Sequence, residues 1–370
     1  MEEPLRLLFI GCGGIMNAHL RAIKEHPGAF DLVGVCDPSE AGRAALLESY
    51  GKQVPRFSDH EAMLDVMTDK ADAVIIGTPH FLHYPQAVAA VEAGLPCLVE
   101  KPICNNLGEA RKLQALAAER GVTVMAGQTK RYTPFARYAR RWVGETPENF
   151  GSLSTFALEA WQNIHCWIAT KPDKSADFWI LDKERAGGGV VVSLGCHRID
   201  LVRYLSGQDF TEASAVGRFD APFKNGAESA CMATLRMENG AIGTLNADYC
   251  ARSIPYSESF KLYGTQGSIV QHADAWGRYD GEIRFASSGG EPSGWDDQFN
   301  SLRPLPENLA EETGMQSFPF TNQLLEFRDA IRDKREPLTG IANNLNTMAT
   351  IEAIYRSMAA GGKTVKIADL

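Results

Sequence analysis

Residues 6 to 127 alternate short apolar runs with longer segments whose apolar residues recur at helical spacing, and this alternation constrains the fold more than any other feature. "RLLFIG" (6–11) precedes "IMNAHLRAIKEH" (15–26), "DLVGVCD" (31–37) precedes "EAGRAALLESYG" (40–51), and "DAVIIGT" (72–78) precedes "LHYPQAVAAVEAG" (82–94). "PCLVE" (96–100) then precedes "NLGEARKLQALAAERG" (106–121), and "VTVMAG" (122–127) closes the series. Unbroken apolar strands are covered on both faces, and strands joined by helices run parallel. The pattern predicts a doubly wound α/β domain with a parallel sheet and helices on both faces.

From Ser152 the character changes. Runs such as "SLSTFALEAW", "EASAVGRFD", "ESACMATLRM", "AIGTLNADY", "SFKLYG", "GSIVQH" and "EIRFAS" are β-rich and joined by glycine turns such as "MENGA" and "GTQGS". A last segment, 343–362, has apolar residues at helical spacing and a glycine stop. Two domains follow, residues 1–128 and 129–370, which suits a chain of 370 residues.

Composition removes several function classes. The net charge of −9 repels phosphate backbones, and the basic clusters between Lys130 and Arg141 are short and interrupted, so no nucleic-acid partner is expected. No apolar run reaches the roughly 18 residues that a membrane helix needs, so a membrane role is not expected. The eight cysteines are scattered, with neither a CxxC pair nor zinc-finger spacing. No metal site is expected, and the thiols read as reduced. "MEEPLRLLFI" opens with acids and passes straight into a strand, unlike an export signal, so a cytoplasmic location is expected.

The first strand turns into the first helix through Gly11-Cys12-Gly13-Gly14-Ile15-Met16. Glycines there let the backbone approach a pyrophosphate, and the helix N-terminus favours that anion. Alone, such a loop could be a plain βα turn. Asp37 ends the second strand about 20 residues on, where a carboxylate accepts from a ribose diol and repels a 2′-phosphate, so NAD is favoured over NADP. Met16 fills the third glycine position and is expected to loosen the helix-to-strand contact.

Glu100-Lys101-Pro102 leaves the carboxyl end of a parallel strand, the edge where open α/β sheets place ligands. Together with the glycine turn, "TP" (Thr78, Pro79) followed by His83, "ERGVTVMAGQTKRYTPF" (119–135) and "GGGVVVSLGCHRIDLVRYLSG" (187–207), it resembles the glucose-fructose oxidoreductase, inositol dehydrogenase and MocA family. The resemblance covers essentially the whole chain. It implies an N-terminal NAD(P)-binding Rossmann domain and an α+β C-terminal domain with a large open, mainly antiparallel sheet. It places Thr78, Pro79, His83, Glu100, Lys101 and Gln128 near the dinucleotide. It also implies a homodimer or homotetramer formed through that sheet, since an open face must be covered or paired.

In this family a lysine and a histidine flank the reacting oxygen, and an aspartate four residues before the histidine completes the set. The matching residues are Lys101, His197 and Ser193. Residues four apart share a helix face, so Ser193 is expected to point towards the groups His197 approaches, supplying no charge. Lys101 is expected as general acid/base, His197 as the group orienting the substrate oxygen, and Ser193 as a neutral partner. A second reading of His197 is a buried histidine satisfied by Asp200, three residues on. On the substrate side, Arg131 could bind an acidic or hydroxyl-rich compound or pair with a surface acid, and His165 and Trp179 could contact substrate or cofactor, since aromatic faces stack on sugar rings.

The expected activity is NAD-dependent hydride transfer from a secondary alcohol of a polyol, cyclitol or sugar derivative. Two alternatives remain open: an NAD-retaining glycosidase or epimerase, and a non-catalytic NAD-dependent sensor of the same fold.

Overall fold

The structure is a computed structural model and describes residues 3–144, 147–169, 178–252, 256–272, 282–287, 303–304 and 306–370. It divides into two units, Met1–Thr129 with Phe318–Leu345, and Lys130–Ser317 with Asn346–Leu370.

The first unit holds six parallel strands, β1 (Leu5–Ile10), β2 (Phe30–Cys36), β3 (Arg56–Phe57), β4 (Ala73–Ile76), β5 (Cys97–Glu100) and β6 (Val124–Gly127), in the order β3-β2-β1-β4-β5-β6. The crossovers carry α1 (Gly14–Glu25), α2 (Glu40–Tyr50), α3 (His60–Met67), α4 (His83–Glu92) and α5 (Leu107–Arg120). Every residue of β4, β5 and β6 is buried, which explains their unbroken apolar runs. The strand order reverses between β1 and β4, which opens a crevice beyond the carboxyl ends of these strands. The short β3 and the helix after it were not legible as a separate strand and helix.

The continuous second domain expected over 129–370 needs correction, because residues 318–345 return to the first unit. Helix Pro319–Asp333 packs on α1, with the His19 and Phe320 rings edge-on at 5.0 Å and the Arg21 guanidinium over the Phe318 ring at 4.1 Å. Thr339 then adds to the free edge of β6, its carbonyl accepting from Ala126 N at 2.8 Å and its hydroxyl donating to the Ala126 carbonyl at 2.8 Å. The returning segment thus covers an edge that would otherwise expose unpaired backbone groups.

The second unit is built on a nine-stranded sheet, in which β7 (Leu153–Gln162), β8 (Phe210–Arg218), β9 (Ala230–Met237), β10 (Ile242–Asp248), β11 (Tyr256–Gly264), β12 (Gly267–His272), β13 (Glu282–Ser287), β14 (Arg303–Pro304) and β15 (Val365–Lys366) lie in the order β14-β13-β12-β11-β7-β10-β9-β8-β15. All pairs are antiparallel except β7 with β10. Alternation along β9 buries Cys231, Ala233, Leu235 and Met237 and turns Met232, Thr234 and Arg236 outward. On the buried face lie helices Pro134–Gly144 and Cys196–Ser206, with Phe135 stacked on Phe260 at 5.7 Å. No helix among the described residues is long and apolar enough to cross a membrane.

Candidate functional site

In the first unit the glycine turn buries Gly11, Cys12 and Met16 and leaves Gly13, Gly14 and Ile15 exposed. Gly11 has φ 99°, and a Cβ there would lie 2.6 Å from the Gly77 carbonyl oxygen, so only glycine fits. Cβ atoms at Gly13 and Gly14 would meet nothing within 4 Å, which leaves open space over the turn. Side chains of Ser39, Asp59 and Asn106 cap α2, α3 and α5, whereas the Gly13 cap gives α1 none. The amides at that end are thus available to an anion. Asp37 braces the turn, with Oδ2 accepting from Cys12 N at 2.8 Å and Oδ1 from Ser39 N at 2.8 Å. Each carboxylate oxygen keeps lone-pair capacity for a ribose hydroxyl. Gln128 is buried, and its Oε1 has no hydrogen-bond partner among the described residues, an acceptor that an amide or hydroxyl of a dinucleotide would satisfy. These residues fit the cofactor.

Met16 does not loosen the turn, which corrects the expectation. It is fully buried, and a Cβ on Gly77 would lie 2.3 Å from its Sδ, so the small residue required for close packing has moved from α1 to the end of β4. Gly77→Ala is expected to destabilise the protein by about 1–3 kcal/mol through overpacking. Met16 is fully buried, so Met16→Ala alone is expected to cost about 2–5 kcal/mol, and the double variant should lose less than the sum of the two single losses because the added methyl enters the space the thioether leaves, as measured by denaturant unfolding of the single and double variants.

Lys101 is partly exposed and held between two buried anchors. On one side, Glu100 turns inward, with Oε1 2.8 Å from His19 Nε2 and Oε2 accepting from Lys101 N at 3.3 Å. On the other side, the His83 ring is fully buried, with Nδ1 2.7 Å from the Pro102 carbonyl oxygen and Nε2 2.8 Å from that of Thr78. Burial pushes the His83 pKa down, against the pull of those two carbonyls. His83 and Glu100 were expected to touch the dinucleotide. Both side chains are buried, and both fasten the strand ends that carry Lys101. Thr78 and Pro79 stay partly exposed beside them, and the Thr78 hydroxyl donates to Gln86 Oε1 at 2.6 Å.

In the second unit the three glycines have separate tasks. Gly187 ends a short helix, Lys183–Ala186, in the left-handed region at φ 82°. A Cβ on Gly188 or Gly189 would fall 1.8 Å from the Tyr355 hydroxyl or 1.9 Å from the Glu228 carbonyl oxygen. The chain then forms a π-helical turn, Val191–Gly195, continuous with helix Cys196–Ser206. Within residues 191–200 only His197 keeps solvent exposure. Its alternative reading as a buried histidine satisfied by Asp200 is therefore set aside, because Asp200 is held by Arg131.

Two further placements correct the sequence reading. Ser193 is 1% exposed and lies beside the buried Tyr249 phenol, so it does not share the exposed side of His197. The wide π turn breaks the four-residue face rule on which that expectation rested. Arg131 is 3% exposed and gives Asp200 a bidentate pair, Nε to Oδ2 and Nη2 to Oδ1, both 2.7 Å, with the Thr347 hydroxyl also donating to Asp200. This geometry makes Arg131 a structural residue and removes it as a substrate contact. His165 and Trp179 are both partly exposed, in the short helices Ile164–Ala169 and Trp179–Leu181.

A charged cluster that carries no recognisable sequence motif lies beside His197. Glu258 on β11 is buried with Lys130 Nζ at 2.6 Å and Arg198 Nη2 at 2.9 Å. Burial alone would raise its pKa, yet Arg198, Lys130 and His197 outweigh that and hold it well below the carboxylate range. Lys130 sits next to Arg131 in "QTKRY", and nothing in that run says which cation is buried and which lies at the cluster's edge.

Residues 5–128 match the model of a family described as "Oxidoreductase family, NAD-binding Rossmann fold", and residues 160–367 match its companion, "Oxidoreductase family, C-terminal alpha/beta domain". The chain belongs to the glucose-fructose oxidoreductase, inositol dehydrogenase and MocA family. Among its relatives are a 1,5-anhydro-D-fructose reductase of Ensifer adhaerens, 26% identical over 87% of each chain, and a levoglucosan dehydrogenase of Pseudarthrobacter phenanthrenivorans, 25% identical over 79% of each. A solved levoglucosan dehydrogenase in complex with NADH and levoglucosan has the same fold, with a TM-score of 0.84 at 24% identity over 99% of this chain and all of that one.

As a member of this family the protein is an NAD-dependent oxidoreductase. Its glycine turn, Asp37 and the Lys101 strand end lie on the carboxyl-end crevice of the family's Rossmann domain. Glu228 and Tyr355, which touch the glycines of the second unit, carried no sequence signal. "GAESAC" and "EAIYRS" look like any strand start and helix interior.

Proposed function

We propose that the protein oxidises a secondary alcohol of a polyol, cyclitol or sugar derivative with NAD. The observation that supports this most is the match of both halves to an NAD-binding oxidoreductase family, joined to relatives named for 1,5-anhydro-D-fructose, levoglucosan and scyllo-inositol. Bound NAD supplies the acceptor for the hydride that leaves the carbinol carbon. Lys101 takes the hydroxyl proton on Nζ as the carbonyl forms and returns it to solvent, while His197 donates a hydrogen bond to the same oxygen and orients it. His165 and Trp179 contact the substrate's hydroxyls and ring, and Asp37 holds the adenosine ribose. The exposed sheet face bearing Met232 and Ile242 pairs with a second copy of the chain.

Incubation with NAD and a panel of polyols, cyclitols and sugars, following the absorbance of the reduced cofactor, tests this reading. Net reduction supports it. Product without net reduction points to an NAD-retaining enzyme, and binding alone points to a sensor. Asp37→Ser is expected to lower kcat/KM with NAD by about 10–100-fold and raise that with NADP, because loss of the carboxylate removes both the diol acceptor and the repulsion of a 2′-phosphate.

A further inference from the structure

The helical segment that carries His197 begins at Val190 with Gly189 at its cap, and the first four N–H groups at a helix start have no partner within it. Two side chains and one carbonyl meet all four here. Gly189 N donates to Glu228 Oε2 at 2.8 Å, Val190 N to the Glu228 carbonyl at 3.1 Å, Val191 N to Glu228 Oε1 at 2.9 Å, and Val192 N to the Tyr355 hydroxyl at 3.3 Å. The Tyr355 hydroxyl donates onward to Glu228 Oε1 at 3.1 Å, closing the set. Glu228 is completely buried, in the approach to β9, and it grips a backbone 37 to 39 residues earlier. The Gly188 and Gly189 positions let the clamp close, since a Cβ on either would overlap it.

We propose that Glu228, completed by Tyr355, is a positioning residue that fixes the start of the π-helical turn and through it the orientation of His197. This rests on the proposed role of His197 at the substrate oxygen. A carboxylate deep in the protein is costly unless donors surround it, and every partner of both Glu228 oxygens is a donor, the arrangement that serves the ionised form. Burial pushes the Glu228 pKa up to about 7, against the pull of the Val191 and Gly189 amides and Tyr355. The titratable groups facing it are Tyr355 from helix Ile341–Ala359, Cys231 on β9 and Tyr249 after β10, with Lys183 over the Tyr355 ring at 5.8 Å. The clamp is complete above pH 7 and loses an acceptor as pH falls through that value.

Glu228→Gln replaces one acceptor oxygen by a donor. At about pH 8, hydrogen exchange of the amides in 189–197 should accelerate about tenfold while the Rossmann domain keeps its protection. The His197 ring signals in an imidazole-labelled NMR spectrum should shift and broaden. kcat should fall about 10–100-fold with KM for alcohol and NAD within about twofold, and the gap should narrow towards pH 6, where the wild-type carboxyl is itself protonated. A merely structural role would lower the melting temperature without that split or its pH dependence. Tyr355→Phe keeps the carboxylate and removes one hydroxyl, so it should show the same pattern at smaller size and decides the matter if Glu228→Gln does not fold. Unchanged exchange and unchanged His197 signals in the folded variant, or wild-type kcat at pH 8, overturn the proposal. If the wild-type protein oxidises no alcohol of the panel, the proposed function fails instead, and the exchange and ring signals alone decide the positioning role.

Discussion

Lys101→Met is expected to lower kcat for alcohol oxidation by about 10³-fold while leaving the dissociation constant for NAD within a few fold. Methionine keeps the unbranched stem and removes the only group assigned to take the hydroxyl proton. The backbone around it should persist, because its fasteners lie on either side: Glu100 with His19 before it, and Pro102 with His83 after it. The glycine turn and Asp37 belong to other strand ends and do not depend on the amine. Steady-state kinetics beside calorimetric titration with NAD separates the two quantities. A Lys101→Met enzyme that retains most of its turnover contradicts the assignment. His197→Asn, which keeps a polar side chain but not the imidazole, should cost less, about 10–100-fold, because it orients the oxygen without taking its proton.

The second large effect concerns stability. Arg131→Leu should destabilise the protein by about 3–5 kcal/mol, since it leaves the Asp200 carboxylate buried with its main partner gone. Burial works against the Arg131 charge, and Asp200 more than offsets that, raising the guanidinium pKa. The melting temperature should drop by about 10 °C, with KM for substrate changed little at temperatures where the variant is folded. Had Arg131 bound substrate, the reverse would hold: a raised KM and an unchanged melting curve. Replacing both members, Arg131→Leu with Asp200→Leu, should recover much of the loss, because the uncompensated charge is gone.

Lys101 and Arg131 mark the two ends of what this sequence makes legible. The Rossmann half was legible because parallel strands are written as unbroken apolar runs and each ends in a recognisable turn. That Lys101 stands at the carboxyl end of such a strand was legible in the same way. The strands of the second sheet were legible from alternation and glycine turns, β14 and β15 being too short to show. The return of residues 318–345 to the first unit was not, since an amphipathic helix does not announce which surface it covers. Arg131 and Lys130 look equivalent in "TKRY", and only the fold decides that one pairs with Asp200 and the other with Glu258. Ser193 was misjudged for a geometric reason: spacing rules assume an α-helix, and a π turn stands at that point. The glycines 187–189 announced a tight passage, but not the Glu228 and Tyr355 side chains that make it tight, because those partners come from distant parts of the chain.

The proposed reaction couples oxidation of a polyhydroxylated alcohol to reduction of NAD. The direct measurement is to follow the absorbance of the reduced cofactor with wild-type protein, NAD and the alcohol panel, and to assay the carbonyl product by mass spectrometry. One equivalent of reduced cofactor for each carbonyl formed, abolished in Lys101→Met, is the result expected. NAD bound with no alcohol oxidised, or product released with no net reduced cofactor, would contradict it.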